Sequence, residues 1–204
     1  MHDTIPTNLP PHIIHTLQQH RAVVSRCKSL FLKKAADYGT SWRVLRPVSI
    51  VDQIYIKAWR IRQIQETGEQ FIADSIESEF VAIINYGLIA LIQEANVNDP
   101  EFDWPIEQTQ VWYERFAQAT EDLMLQKNHD YGEAWREMCQ ESFVDLILVK
   151  LLRIKQIIAN DGRVQVSEGT DANFIDIINY AVFALIKMGE ETAEGAENIQ
   201  RASK

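Results

Sequence analysis

The feature that most constrains the fold of this 204-residue chain is an internal duplication. When the chain is compared with itself at a shift of 93 residues, Leu30–Ile64 aligns with Leu123–Ile157, and 17 of the 35 positions are identical. A shift of 94 aligns Phe80–Ile92 with Phe174–Ile186, where 8 of 13 positions are identical. A repeat of this kind indicates one structural unit used twice, whose copies bury each other's apolar faces.

The boundary between the copies lies in Glu94–Pro105, which collects Asn, Asp and Pro after a periodic apolar stretch. Residues of these types end one helix and precede the next. The predicted organisation is a first helical repeat at 11–95, a linker at 96–105, a second helical repeat at 106–190, and flexible termini at 1–10 and 191–204.

Each copy is predicted to form three helices, because apolar residues recur at helical spacing. Gly39 and Gly132 suit the left-handed position that ends a helix, and Ser49 and Ser142 are predicted N-caps of the middle helices. Short strands at Val164–Val166 and Phe71–Ile72 are minor expectations. The predicted helices are 11–36, 49–66 and 75–93 in the first copy and 106–129, 142–160 and 171–188 in the second. Two such units packed about a pseudo-twofold axis predict an all-α bundle.

The middle helix carries an acid and two bases within an otherwise apolar segment. With Asp52 at zero on a helical wheel, Arg60 lies roughly 80° and Lys57 roughly 140° round, so the three share one broad stripe. The second copy repeats them as Asp145, Lys150 and Arg153. Burying such charges is costly unless they are paired.

Two interpretations of the stripe stay open. Either the charges form structural ion pairs, or they line a polar cavity in which the bases hold an anion such as phosphate. In the second case Asp52 and Asp145 are the candidate catalytic residues, as a base or as groups that orient one. Each copy has two bases and one acid, which leaves one positive charge seeking a partner.

Other polar residues recur near the stripe and are candidate ligand contacts. An Asp-Tyr-Gly sequence preceded by lysine ends the first helix of each copy, and an Asn-Tyr pair lies inside the apolar third helix. The asparagine is predicted either to bridge two helices or to reach the cavity. Acids at the start of the last helix make Asp171 and Asp176 candidate metal ligands. The candidate ligand-binding residues are Lys57, Arg60, Lys150, Arg153, Lys34, Lys127, Asp37, Tyr38, Asp130, Tyr131, Asn85 and Asn179.

Composition limits the partners and the compartment. A net charge of -9 and a pI near 5.0 argue against binding to long nucleic acid, although a local basic pocket for a small anion remains compatible. Two cysteines outside any CxxC motif favour a reduced, intracellular chain. The start lacks a signal-peptide pattern, and no apolar run approaches the roughly 18 residues of a membrane span. We therefore expect a cytoplasmic protein with no membrane partner.

The pattern K-x-x-D-Y-G, then D-x(4)-K-x-x-R, then N-Y occurs at Lys34–Gly39, Asp52–Arg60 and Asn85–Tyr86, and again in the second copy. In this pattern the chain resembles the nucleotide-modification-associated domain family, a family of tandem helical repeats of unknown function. The resemblance implies an all-helical fold and a link to nucleotide or modified-base metabolism.

A more distant likeness is to the all-α nucleoside triphosphate pyrophosphohydrolases of the MazG type. Those enzymes are tight dimers and hold Mg²⁺ on the carboxylates of an EExxE helix, which this sequence lacks. The likeness implies Mg²⁺ as the cofactor to test, and a homodimer of the whole chain is compatible with it.

The predicted function is binding of a nucleotide or similar phosphorylated small molecule, with metal-dependent phosphoanhydride hydrolysis as the first reaction to test. The alternative is a non-catalytic helical scaffold or interaction protein whose buried charges are structural ion pairs.

Overall fold

A computed structural model describes residues 9–160, 162–163 and 169–202, with side chains as far as residue 193. The described chain folds as α-helices and two short 3₁₀ turns, Ser41–Val44 and Ala134–Glu137. The predicted all-α architecture is confirmed, and the last helix continues past the predicted end at residue 188. The helices are α1 (Pro11–Tyr38), α2 (Pro47–Thr67), α3 (Ile76–Ala95), α4 (Ile106–Tyr131), α5 (Gln140–Ala159) and α6 (Thr170–Ala202).

Two details of the local predictions are corrected. Ser49 and Ser142 are not N-caps, because α2 begins at Pro47 and α5 at Gln140, which places both serines in the first helical turn. A proline has the fixed φ and the missing N–H that suit this start. The predicted strand at Phe71–Ile72 is an irregular loop, whereas the one at Val164–Val166 lies outside the described residues.

The ends of α1 and α4 follow the prediction. Gly39 has φ 62° and Gly132 has φ 60°, a region that residues with a Cβ rarely adopt. The N–H of Gly132 donates to the carbonyl of Asn128 at 3.0 Å. Each helix therefore stops at its Asp-Tyr-Gly sequence and turns directly into the 3₁₀ turn that carries a tryptophan.

The two repeats pack about a pseudo-twofold axis, with each helix against its counterpart: α1 on α4, α2 on α5 and α3 on α6. α3 and α6 cross where Gly87 meets Ile178, since a Cβ on Gly87 would stand 2.7 Å from Cγ1 of that isoleucine. By length and composition, α3 and the 170–193 part of α6 could each cross a membrane, but 67% of the apolar window of each is buried in the bundle. They form its central layer.

A partly buried amide joins α3 to the outer helices. The Asn85 side chain donates from Nδ2 to the carbonyl of Cys27 at 3.2 Å. Its Oδ1 accepts from the hydroxyl of Tyr113 on α4 at 2.9 Å. Both ends of the amide are thus occupied by protein groups.

The second repeat reproduces this arrangement at equivalent positions. Asn179 donates to the carbonyl of Thr120 at 3.0 Å, and its Oδ1 lies 3.2 Å from Nε2 of His20. Thr120 and His20 are related by the 93-residue shift to the partners of the first amide. Both asparagines therefore bridge helices, which is one of the two predicted alternatives, and their equivalent bonds verify the register of the repeat. Asn85 also lines a cavity of the first repeat.

The linker is folded onto the first repeat. The Thr40 hydroxyl donates to the carbonyl of Phe102 and accepts from the N–H of Trp104, both at 2.8 Å. The guanidinium of Arg43 donates to the carbonyl of Glu101 and lies 4.1 Å over the Trp104 ring. These contacts fix the 3₁₀ turn of the first repeat, and the residue before it, against the linker.

Candidate functional site

A cavity of about 470 Å³ lies within the first repeat, between α1, the first 3₁₀ turn, α2 and α3. It gathers four of the predicted ligand residues, Lys34, Tyr38, Lys57 and Asn85, from three helices. The polar side chains of its lining belong to Lys34, Tyr38, Ser41, Trp42, Lys57, Asp74, Ser78, Glu79, Asn85 and Tyr86.

A buried carboxylate stands at the floor of this cavity. Glu79 on α3 is 2% exposed, and its Oε1 lies 2.5 Å from Nη1 of Arg60. The ammonium of Lys57 is 3.1 Å from Oε2, within ion-pair distance but without hydrogen-bond geometry. One carboxylate thus holds the two bases of the α2 stripe.

The guanidinium of Arg60 is held by three oxygens of the protein. Besides Glu79, it donates to the carbonyls of Ile72 at 3.0 Å and Asp74 at 2.8 Å, which fixes the loop before α3. Arg60 does not line the cavity. Its predicted role as a ligand contact is therefore corrected to that of a structural group.

One ammonium of the cavity has no ion pair. Lys34 is exposed at the rim, and no ion pair joins it to a residue within the described part of the chain. The charged residues of the lining are two lysines, Lys34 and Lys57, and two acids, Glu79 and Asp74, so their formal charges balance. Glu79 is shared by Lys57 and by Arg60, which lies outside the lining, and Lys34 is left as the cation without a bound acid.

Aromatic rings form much of the remaining wall. Phe31, Tyr38, Trp42 and Tyr86 line the cavity. Trp42 packs on Phe31 with the ring centroids 6.1 Å apart, and its Nε1 is buried without a hydrogen-bond partner among the described residues. Planar ring faces beside ammonium groups can accommodate a planar ligand that carries an anion.

The second repeat uses the same lysine positions differently. Lys127 and Lys150 both bind Asp176 on α6, and Nζ of Lys150 lies 2.6 Å from Oδ2. Trp135 is stacked on Phe183, with the ring centroids 4.3 Å apart and an angle of 6° between the ring planes. In the second repeat, side chains of α6 thus contact both lysines and the tryptophan.

The predicted catalytic residues lie elsewhere. Asp52 is 51% exposed and pairs with Lys155 of α5 at 2.7 Å. Asp145 is 60% exposed and lies 3.5 Å from Arg62 of α2. These related pairs bridge the repeats on the α2–α5 seam. The structure therefore does not bring Asp52 to the cavity that Lys57 lines, and it pairs each acid with a base of the other repeat.

Four other predicted contacts lie outside the cavity. Asp37 is exposed, Asp130 pairs with His129 at 3.0 Å, and Tyr131 is 72% exposed. Arg153 is exposed near Tyr180. Burial and then Asp176 raise the pKa of that tyrosine, against the opposing charges of Lys127 and Arg153.

The predicted metal ligands are not brought together. Asp171 is exposed at the start of α6, whereas Asp176 is 4% exposed and bound by two lysines. No three His, Cys, Asp or Glu side chains gather as metal ligands among the residues with a described structure. Mg²⁺ prefers several oxygen ligands, and this donor set does not fit it.

Glu79 is the site residue that the sequence prediction missed. Its signal is its position: Glu79 precedes Ile83 by four residues and Tyr86 by seven, so it lies on the same helix face as a residue that is 0% exposed. An acid on a core-facing position needs a basic partner, and the unmatched bases of α2 supply two.

The chain was compared with protein families, curated proteins and solved structures. The family model described as nucleotide modification associated domain 1 matches residues 34–93 and 127–188, which together make up more than half of the chain. No curated protein and no solved structure matches the chain. Both matched segments contain the Asp-Tyr-Gly, lysine and Asn-Tyr positions described above. The chain therefore belongs to the nucleotide modification associated domain 1 family and carries two copies of its domain.

Proposed function

We propose that the first repeat binds a nucleotide or a similar phosphorylated small molecule in the cavity between α1, α2 and α3. The observation that carries the proposal is the ammonium of Lys34 at the rim, which has no ion pair within the described residues, together with Lys57 and an aromatic wall.

The size of the cavity supports a ligand of this class. Small-molecule sites usually enclose about 300–1,000 Å³ and combine apolar walls with a few polar groups. At about 470 Å³ the cavity can hold a nucleotide-sized molecule. Phe31, Trp42 and Tyr86 supply the ring surface on which a base can pack.

The charges support a phosphate rather than a neutral ligand. Ammonium groups bind phosphate through charge-assisted hydrogen bonds. Glu79 neutralises one of the two bases that contact it, and Lys34 has no acidic partner within the described residues. A bound phosphate would give Lys34 an anionic partner. The description of the family, which refers to nucleotide modification, agrees with this class of ligand.

The scaffold alternative is favoured for the second repeat by the contacts that α6 makes there. Asp176 pairs with both lysines, and Phe183 stacks on Trp135. We propose one binding site for each chain and a structural role for the second set of charges.

Thermal unfolding in the presence of nucleotides tests the proposal. A ligand that binds only the folded state stabilises it by about 2.7 kcal/mol at 100 times its Kd, so the melting temperature should rise for at least one of a panel of nucleoside mono-, di- and triphosphates. The panel is run with and without Mg²⁺, and release of inorganic phosphate is measured in the same samples to test hydrolysis.

A matched pair of variants locates the binding. Lys34→Gln should weaken the shift, whereas Lys33→Gln removes the same charge one residue earlier, outside the cavity lining, and should leave the shift as in the wild type. No shift with any nucleotide at millimolar concentration would overturn the proposal, as would equal losses in the two variants.

A further inference from the structure

We infer that the ligand's anionic group sits between Lys34 and Lys57, next to Ala82, and that the second repeat fills the same subsite with its own Asp176. This inference rests on the proposed function and specifies where in the cavity the ligand's charge is held. The chemistry it selects is an oxyanion that offers an oxygen to each of two ammonium groups.

The first step is the equivalence of the positions. Lys34 and Lys57 correspond to Lys127 and Lys150 at the 93-residue shift, and Ala82 corresponds to Asp176 at the 94-residue shift. The asparagines three residues further along α3 and α6 occupy matching places, because they donate to equivalent backbone carbonyls. The register of the comparison is therefore fixed by the structure as well as by the alignment.

The second step is the geometry in the second repeat. Asp176 is 4% exposed, with Lys127 on Oδ1 and Lys150 on Oδ2. Each ammonium thus takes one oxygen of a single carboxylate. These two lysine positions form a clamp for a two-oxygen anion, and the occupied clamp is visible in this repeat.

The third step is that the first repeat has no carboxylate at the position of Asp176. Lys34, Lys57 and Ala82 all line the cavity, but the alanine side chain ends at Cβ and brings no carboxylate. Glu79 approaches only Lys57 of the two. An ammonium has three N–H donors, so Lys57 keeps donors for a second acceptor. An oxyanion from outside completes the clamp.

The fourth step is the neighbouring side chain that decides whether a ligand can enter. Phe183, which stacks on Trp135 in the second repeat, corresponds to Ile89 in the first. Ile89 and Trp42 both line the cavity. The smaller side chain leaves room beside the anion subsite for the rest of a ligand, so a nucleotide phosphate and free inorganic phosphate can both reach it.

Ala82→Asp is the direct test, because it copies the second repeat into the first. Binding of the nucleotide that shifts the wild type, measured by calorimetry, should become about tenfold weaker or more, as expected when charge-assisted hydrogen bonds are lost. Ala36→Asp adds the same charge at an exposed position of α1 outside the cavity lining and should leave the affinity within about twofold of the wild type. Unchanged affinity in Ala82→Asp would overturn the inference.

The reciprocal variant needs no known nucleotide. Asp176→Ala removes the carboxylate that Lys127 and Lys150 share, and inorganic phosphate is the probe. In the Ala82→Asp background, where the first subsite is closed, adding Asp176→Ala should restore a rise in melting temperature with millimolar phosphate that the same concentration of chloride does not give. Absence of that rise would overturn the inference.

The two tests distinguish a failure of the anion subsite from a failure of the proposed function. If the wild type binds a nucleotide and Ala82→Asp binds it equally well, the cavity is a nucleotide site but the anion lies elsewhere in it. If no nucleotide binds the wild type while phosphate stabilises the variant that lacks Asp176, the clamp is correct and the proposed function is wrong. Comparing inorganic phosphate with the nucleotide in the wild type shows whether the phosphate alone accounts for binding.

Discussion

Replacing Glu79 by Gln tests how the bundle tolerates buried charge. The substitution keeps the shape of the side chain and removes the carboxylate that Lys57 and Arg60 share at 3.1 and 2.5 Å. Removing one partner of a buried pair leaves the other charges without compensation, which is the costly case. We expect the free energy of unfolding to fall.

The size of the loss follows from the burial of the three side chains. At an effective dielectric constant of 20, each cation about 4 Å from the carboxylate contributes about 4 kcal/mol of attraction, most of which offsets the cost of burying the charges. Removal of one member of a buried pair costs about 3–5 kcal/mol. The side chain of Lys57 is 30% exposed and Arg60 is 19% exposed, and Arg60 keeps two backbone carbonyls. We therefore expect Glu79→Gln to lower the free energy of unfolding by about 3 kcal/mol, the lower end of that range.

Asp52→Asn is the matched control, because it also removes one carboxylate from an ion pair of α2. Asp52 and Lys155 are 51% and 35% exposed, and surface pairs of this kind contribute about 0–1 kcal/mol. Urea unfolding of both variants at pH 7, with equal m values, measures the difference. If the two substitutions cost the same within about 0.5 kcal/mol, burial does not govern these charges and the reasoning fails.

Two further perturbations test the packing of α3 on α6 and the burial of His20 on α1. Gly87→Ala should lower the free energy of unfolding in urea by about 1–2 kcal/mol, because its Cβ would meet Ile178 at 2.7 Å and overpacking exceeds the gain in helix propensity. Gly189→Ala is the control and should raise it, because a Cβ there meets nothing within 4 Å. A change of the same sign in both variants would contradict the close approach of α3 and α6. Burial lowers the pKa of His20, so the unfolded chain binds a proton more readily and the free energy of unfolding should fall below pH 6.5 by up to about 1.4 kcal/mol per pH unit. His20→Gln can still donate to Asn179 and should reduce that fall between pH 7 and 5.5; an identical pH dependence in the two proteins would show that His20 is not buried in its neutral form.

The helices and the packing of one repeat on the other could be predicted from the sequence, because the same apolar pattern and the same helix ends occur in both copies. Identity at a fixed shift gives the repeat, and the glycines that follow Asp-Tyr give the ends of α1 and α4. The starts of α2 and α5 were placed too late, because a serine before an apolar run has the same local pattern whether it caps a helix or lies in its first turn. Only the backbone conformation distinguishes the two cases.

The candidate site was predicted in part, and the errors have one physical cause. Lys34, Tyr38, Lys57 and Asn85 do meet at one cavity. Asp52 was assigned to the same site because a helical wheel places it on the stripe, but a wheel gives directions within one helix and not which neighbour each direction faces. The partner of each α2 charge is set by the packing of α5 on one side and α3 on the other, and this is tertiary information.

Each repeat places one buried acid of its third helix against its lysines, and the two acids lie about one helical turn apart when the repeats are aligned. The acid of the first repeat is Glu79, whose counterpart is Asn173, and the acid of the second is Asp176, whose counterpart is Ala82. Three residues along a helix move a side chain by about 4.5 Å. At the second position the carboxylate reaches both lysines, whereas at the first it reaches only one of them together with Arg60. A displacement of one helical turn therefore decides whether the acid binds both lysines, as in the second repeat, or only Lys57 of the two, as in the first.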